Sequence, residues 1–250
     1  MPVDVYAAIV GRAERSRCLM FHLSQTHDPV GLIFPFWILR GPQRVTLIDT
    51  GFTATAAAQR AINDYRDPTA LLAEVGIAPA EVEQIVVSHL HFDHFCAPER
   101  YPNARFVIQH DDAAYFAGVG ATHPAGRIAD PPSIAALAEL RRTGRLELLD
   151  GDAVLGAGLS VVRVGGHTPG SQVIVLERDG ERIVFACDAS HMYENAKTRT
   201  PSAIIYRYDE YQRGFAAIER LAAGGRWFPG HDPELLTHLT PVSASVYALA

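Results

Sequence analysis

The chain has 250 residues, 48% of them hydrophobic and 20% charged; this is the mix of a soluble globular protein and excludes disorder, collagen and coiled coil. A chain of this length can hide roughly 70–75% of its unfolded surface, so a single domain over residues 1–250 is the expectation. The formal charge of −6 speaks against a broad basic face and so against nucleic acid or an anionic membrane as partner.

Residues 1–18 carry a short apolar run followed by Arg12, Arg15 and Arg17. A signal peptide puts its basic residues first, and no apolar run reaches membrane-spanning length, so a cytoplasmic location is expected. Cys18, Cys96 and Cys187 form no CxxC and no disulfide framework; they read as small hydrophobes in a reducing cytosol. Residues 4–9, 33–39 and 44–49 are short and rich in branched or aromatic side chains, which predicts strands, with Gly41-Pro42 as a hairpin turn. An Ala-rich helix is predicted over 54–65. A second one starts at Pro68 after Asp67 as N-cap and stops at Gly76.

Further strands are predicted at 84–88 and 105–109, and helices at 111–117 and 133–142. Strands return at 159–164, 172–177 and 182–186, with Asp179-Gly180 as a hairpin signal. A helix over 209–222 carries Tyr211, Phe215, Ile218 and Leu221 at helical spacing, and 226–228 is a last short strand. Strand groups in both halves with helices between them predict two sheets stacked face to face with helices outside.

The chemistry concentrates in Ser88-His89-Leu90-His91-Phe92-Asp93-His94, directly after a predicted strand. His89 and His91, two apart at a strand end, project to one side, while Asp93 and His94 are adjacent and diverge. One loop can therefore serve two neighbouring metal ions. Only 11 of the 250 residues are histidine, so three within six positions beside an aspartate is not a chance cluster. His167 in a glycine-rich turn, Asp188 and His231 each stand just beyond a predicted strand end, where scaffolded sites collect.

HxHxDH, then Gly-His-Thr-Pro-Gly-Ser, a strand ending in Asp, and Gly-His-Asp together resemble the metallo-β-lactamase superfamily, as does Asp49-Thr50-Gly51. The resemblance implies an αββα sandwich of the metallo-β-lactamase type, an α/β fold of two mixed sheets with helices outside. It implies His89, His91 and His167 as ligands of a first metal. Asp93, His94 and His231 would bind a second, and Asp188 would bridge them. Two cations roughly 3.5–4 Å apart supply hydroxide near neutral pH and polarise a carbonyl. Zinc is the default for histidine-rich ligation, with manganese, iron or cobalt as the other candidates. Asp49 reads equally as a turn-former and as a group orienting a ligand histidine.

Within the superfamily, Asp188 with the short segment after it, Phe228-Pro229-Gly230-His231-Asp232 and Phe34-Pro35-Phe36-Trp37 look most like the N-acyl homoserine lactone hydrolases. The implied function is a dinuclear metal hydrolase that opens a lactone, a small-molecule ester substrate, by metal-bound hydroxide. A glyoxalase II-like thioesterase is the alternative. It is disfavoured because little chain follows His231 to form that enzyme's helical domain. A binding protein without turnover is disfavoured by the complete ligand set. In the lactonases a tyrosine stands three residues after the bridging aspartate; here His191 does, with Tyr193 two further on. Asp93, His191 and Tyr193 are the candidate catalytic residues, His191 as a neutral N–H donor. Met20, Phe21 and Trp37 are the candidate pocket wall, and residues 117–132 a candidate lid. His22, His27, His110, His123 and His238 carry no placement argument. Related lactonases are often dimers, which leaves a homodimer open.

Overall fold

The computed structural model describes residues 3–122 and 124–250, so His123 lies outside the described residues. Its strands are β1 Asp4–Ser16, β2 Pro29–Arg40, β3 Val45–Ile48, β4 Val82–Val86, β5 Arg105–Gln109, β6 Leu146–Leu149 and β7 Ala153–Gly156. They continue with β8 Leu159–Arg163, β9 Gln172–Arg178, β10 Glu181–Cys187, β11 Arg226–Pro229, β12 Thr240–Pro241 and β13 Val246–Leu249. The α-helices are α1 Arg17–Met20, α2 Ala54–Gln59, α3 Pro68–Glu74, α4 His110–Ala117, α5 Pro131–Arg142, α6 Tyr193–Thr198 and α7 Tyr208–Leu221.

Two mixed sheets result. One has the order β12-β13-β1-β2-β3-β4-β5-β6, the other β11-β10-β9-β8-β7. In the first, β3 to β6 run parallel and the rest antiparallel; in the second, only β10 and β11 are parallel. Strand alternation explains the layering. On β9, Ile174 and Leu176 face the first sheet's Val5, Ile33 and Trp37, while Val173 and Val175 face Tyr211, Phe215 and Ile218 of α7. The outer face of the first sheet packs Leu47, Ile85 and Phe106 against Leu71, Leu72, Phe116, Leu137 and Leu140 of the helices. A helix layer thus covers each outer face of the stacked sheets. Strands buried on both faces read as unbroken apolar runs, which is why 84–88 and 172–177 stand out in the sequence.

Several elements differ from expectation. The helix predicted over 54–65 stops at Gln59, because Ala61 and Asp64 take left-handed backbone (φ 49° and 53°) and Asn63 bridges to Arg12. β1 runs on to Ser16, its register shifting between Ile9 and Gly11. The sequence gives no signal for β6, β7, β12 and β13; they are short, and all of their residues but Val246 and Leu249 are partly buried or exposed. Among the described residues no helix is long and apolar enough to cross a membrane.

Candidate metal centre

Every ligand candidate stands on a strand end at one edge of the sandwich. His89 to His94 follow β4, His167 follows β8, Asp188 follows β10 and His231 follows β11. Cys187 adopts left-handed backbone (φ 46°), which turns Asp188 out of the strand. Gly230 must be glycine, since a Cβ there would lie 2.4 Å from Asp188 Oδ1. All seven side chains are buried.

Their atoms converge on two points. His91 Nδ1 lies 3.0 Å from both His89 Nε2 and His167 Nε2. Asp188 Oδ2 lies 3.2 Å from His167 Nε2 and 3.7 Å from His89 Nε2. On the other side, His94 Nε2 lies 3.5 Å from Asp93 Oδ2 and 3.4 Å from Asp188 Oδ1. His231 Nε2 lies 3.6 Å from Asp93 Oδ2 and 3.0 Å from Asp188 Oδ1. Such spacings are the edges of polyhedra with metal–ligand bonds of about 2.0–2.2 Å. The two oxygens of Asp188 belong to different sets. His94 Nε2 and Asp188 Oδ1 are buried and have no hydrogen-bond partner among the described residues. Buried polar atoms are rarely left so. Both point to where a cation would sit, and a donor set of imidazoles and carboxylates fits two divalent ions.

The outer ring nitrogens are anchored. His167 Nδ1 donates to the Ile204 carbonyl at 3.0 Å and His231 Nδ1 to the Ile33 carbonyl at 2.9 Å. His94 Nδ1 donates to Asp49 Oδ2 at 2.7 Å, and Asp49 also accepts from the Ser88 backbone N–H and hydroxyl. Asp49 has φ 66°. It is therefore both turn-former and orienting group.

Burial, reinforced by neighbouring histidines, pushes His89 and His91 well below the usual imidazole range, so both are neutral, as metal ligands must be. Burial opposes charge on His94 and His231 too, but Asp188 and Asp93, with Asp49 beside His94, outweigh it and raise both. Burial also works against Asp93, yet His94 holds it down at about 2. A cation entering the second set therefore exchanges with protons.

His191 joins this cluster. Its Nε2 is 3.2 Å from Asp188 Oδ2 and its Nδ1 is 3.2 Å from the Tyr211 hydroxyl. Burial lowers it to about 3 against the pull of Asp188, so the ring is neutral at ordinary pH. A cavity of about 370 Å³ opens above, bounded by His91, Asp93, Asp188, His191 and His231, with Met20, Leu32, Phe34 and Ile128 in its wall. Met20 lines this cavity, and so does Ile128 from the stretch 117–132.

Three expected residues are elsewhere. Tyr193 points its hydroxyl to the Trp227 carbonyl at 3.2 Å and packs its ring on Trp227. Trp37 lies between the sheets against Phe185 and Phe228, with ring centroids at 4.7 and 4.9 Å. The period of two along β2 forces this: Phe34 faces the cavity, so Trp37 must face the other way. Phe21 is outside the cavity wall; its ring carries the Arg17 guanidinium at 4.0 Å.

The sequence pattern of the metallo-beta-lactamase superfamily matches residues 35–238, from β2 to just beyond His231. The chain belongs to the metallo-beta-lactamase superfamily. Among metallo-beta-lactamase relatives, it is 27% identical over 229 residues to N-acyl homoserine lactonase AttM of Azorhizobium caulinodans, covering 80% of this chain and 82% of that one. An N-acyl homoserine lactonase of Bacillus sp is 26% identical over 207 residues, covering 75% and 78%. Among solved structures, a quorum-quenching N-acyl homoserine lactone lactonase superposes with TM-score 0.80 at 21% identity over 94% of both chains. Another similar structure, TM-score 0.79 and 20% identical over 94% of this chain and 96% of that one, is an N-acyl homoserine lactone hydrolase with N-hexanoyl-L-homoserine bound at its catalytic metal centre.

Two residues of this metallo-beta-lactamase site escaped sequence reasoning. Asp112, on α4 and fully buried, accepts from Leu90 N at 3.0 Å, Thr168 Oγ1 at 3.1 Å and Gly170 N at 2.5 Å. It ties the loop of His89 and His91 to the loop of His167. Tyr211 donates to the Asp188 carbonyl at 2.9 Å while touching His191. In sequence, Asp112 is one of two aspartates at a helix start and Tyr211 one of several apolar-face residues. Neither carries a local signal.

Proposed function

We propose that the chain is a dinuclear metal-dependent hydrolase that opens lactone rings. The observation that carries this reading is Asp188, whose two oxygens complete two separate ligand sets at the floor of one cavity. Its relatives at 26–27% identity named as N-acyl homoserine lactonases support the substrate class. His89, His91 and His167 would hold one ion, Asp93, His94 and His231 the other, with Asp188 between them; zinc is the ion such a donor set favours. Bound there, the ions supply an activated water near neutral pH and polarise the ester carbonyl.

The chain's own residues do the rest. Met20, Leu32, Phe34 and Ile128 wall the cavity with hydrocarbon, which excludes bulk water and holds the apolar part of a substrate. Asp93, kept ionised, serves as ligand rather than acid. His191, neutral and beside Asp188, is the group placed to exchange a proton with the leaving oxygen. A cytoplasmic location goes with this reading, supported by three free cysteines.

The test combines metal analysis with a pH-indicator assay across lactones, open esters and thioesters. About two ions per chain and selective turnover of lactones are expected. Asp188→Ala should lose most of the metal and nearly all hydrolysis. Full metal content and unchanged rate in that variant would refute the assignment, and preference for thioesters would replace the substrate class.

A further inference from the structure

The rim of the cavity holds two cationic side chains that the hydrolysis of a neutral lactone does not call for. Arg15 on β1 and Arg60 at the end of α2 line the same cavity as His91, Asp93, Asp188 and His231. The Arg60 guanidinium lies 3.9 Å above the centroid of Phe92, the residue between ligands His91 and Asp93. Arg15 donates to the Arg60 carbonyl at 2.6 Å and to the Glu14 carbonyl at 2.8 Å, which fixes its direction. Both side chains are half-buried. Among the described residues neither pairs with a carboxylate, whereas Arg17 pairs with Glu194 and Arg100 with Asp67.

Two guanidinium side chains on the wall of one cavity, neither paired with a carboxylate, form an anion subsite. A guanidinium carries five N–H donors in a planar fork that matches a carboxylate, and Arg15 gives two of its five to the Glu14 and Arg60 carbonyls. Partial burial strengthens such a contact relative to open water. The left-handed backbone at Ala61 and the bridge from Asn63 to Arg12 set this geometry, by turning the chain after α2 back onto β1.

Resting on the lactone-hydrolase reading, we propose that the preferred substrate is a lactone bearing a carboxylate on the side chain remote from the ring, held by Arg15 and Arg60 while the ring lies over the ligand cluster. Water adds across the ring ester and the ring C–O bond breaks. The product is a hydroxy acid with a second carboxylate at its far end. The apolar segment of the substrate lies along Met20, Leu32 and Phe34.

The experiment uses the zinc-loaded chain and two matched pairs. One pair is a γ-lactone with an alkyl side chain ending in a carboxylate and its methyl ester, followed as kcat/KM. The other is the corresponding pair of γ-lactams, followed as affinity by calorimetry, which needs no turnover. The carboxylate member of each pair should be favoured by about tenfold or more, the worth of one charge-assisted hydrogen bond. The preference should shrink at high salt. Arg15→Gln and Arg60→Gln, with metal content confirmed, should each reduce it, chiefly through KM. Equal binding of the two lactams by the unmodified chain overturns the proposal, as does an undiminished preference in both variants. Tight binding of the carboxylate lactam without opening of any lactone keeps the anion subsite and removes the lactonase reading. Equal opening of both lactones with equal lactam binding does the reverse.

Discussion

Asp49 and His94 share a buried hydrogen bond of 2.7 Å although 45 residues separate them, and the same carboxylate takes both donors of Ser88. An amide in place of that carboxylate presents an N–H to one of three donors. Asp49→Asn should therefore leave the set of His89, His91 and His167 filled and weaken the second ion by about 10–100-fold. Chelator competition followed by metal analysis checks this, and equal loss of both ions would show that Asp49 acts on the whole loop instead.

Asp112 is the hub between the two ligand loops. Asp112→Asn turns one acceptor into a donor facing a backbone N–H, which should cost about 1–3 kcal/mol and lower the affinity of the first ion. Burial raises its carboxyl to about 6, above the roughly 3.9 of an unfolded chain. The folded state thus holds the proton more tightly, so this group's contribution to stability is full below about pH 4 and is lost as pH rises through 6. Between pH 5 and pH 7 the stability of the unsubstituted chain, measured against Asp112→Asn in chelator, should fall by about 1 kcal/mol. A flat difference across that range would contradict the raised value.

His191 lies between Tyr211 and Asp188. Its Nε2 stands 3.2 Å from Asp188 Oδ2, an oxygen that can only accept, so the proton of the neutral ring belongs on Nε2, while Nδ1 lies 3.2 Å from the Tyr211 hydroxyl. A neutral ring with its proton on Nε2 is an N–H donor toward the cluster, and substitution tests its part in proton transfer. His191→Ala should lower kcat by about 10²-fold or more with metal content retained. Tyr211→Phe removes the hydroxyl beside Nδ1 and should cost less, about tenfold. A loss under about threefold in His191→Ala would rule out a proton-transfer role. Tyr193→Phe, remote from the cluster, is expected to leave kcat within twofold.

Trp37 anchors the two sheets to each other through Phe185 and Phe228. Trp37→Ala should destabilise the chain by about 3–5 kcal/mol in urea unfolding. Where enough folded protein remains to assay, KM for bulky and small lactones should move together. A selective rise for bulky substrates would place Trp37 in the cavity after all.

The candidate metal ligands were legible because they are clustered in sequence: His89 to His94 is one run, and His167, Asp188 and His231 each follow a readable strand. What escaped was assembled across the chain. Asp112 matters only because α4 passes over both ligand loops. Tyr211 matters only because its apolar spacing hides a hydroxyl, and Arg15 and Arg60 only because β1 and α2 meet at the cavity. Trp37 was misplaced for a related reason. Alternation along β2 separates it from Phe34 but cannot say which face looks into the cavity. Leu146–Leu149 was missed because a half-exposed edge strand lacks the apolar run that marks β4 or β9.

β1 lies between β2 and β13, with Val5 opposite both Leu39 and Leu249. During synthesis, β1 thus keeps one edge bare until β13 has emerged. Such an edge invites pairing with a neighbouring nascent chain. Contacts this distant in sequence also form slowly. Gly11 and the register shift beside it bend β1 partway along, a device that discourages an intruding strand from pairing over its full length.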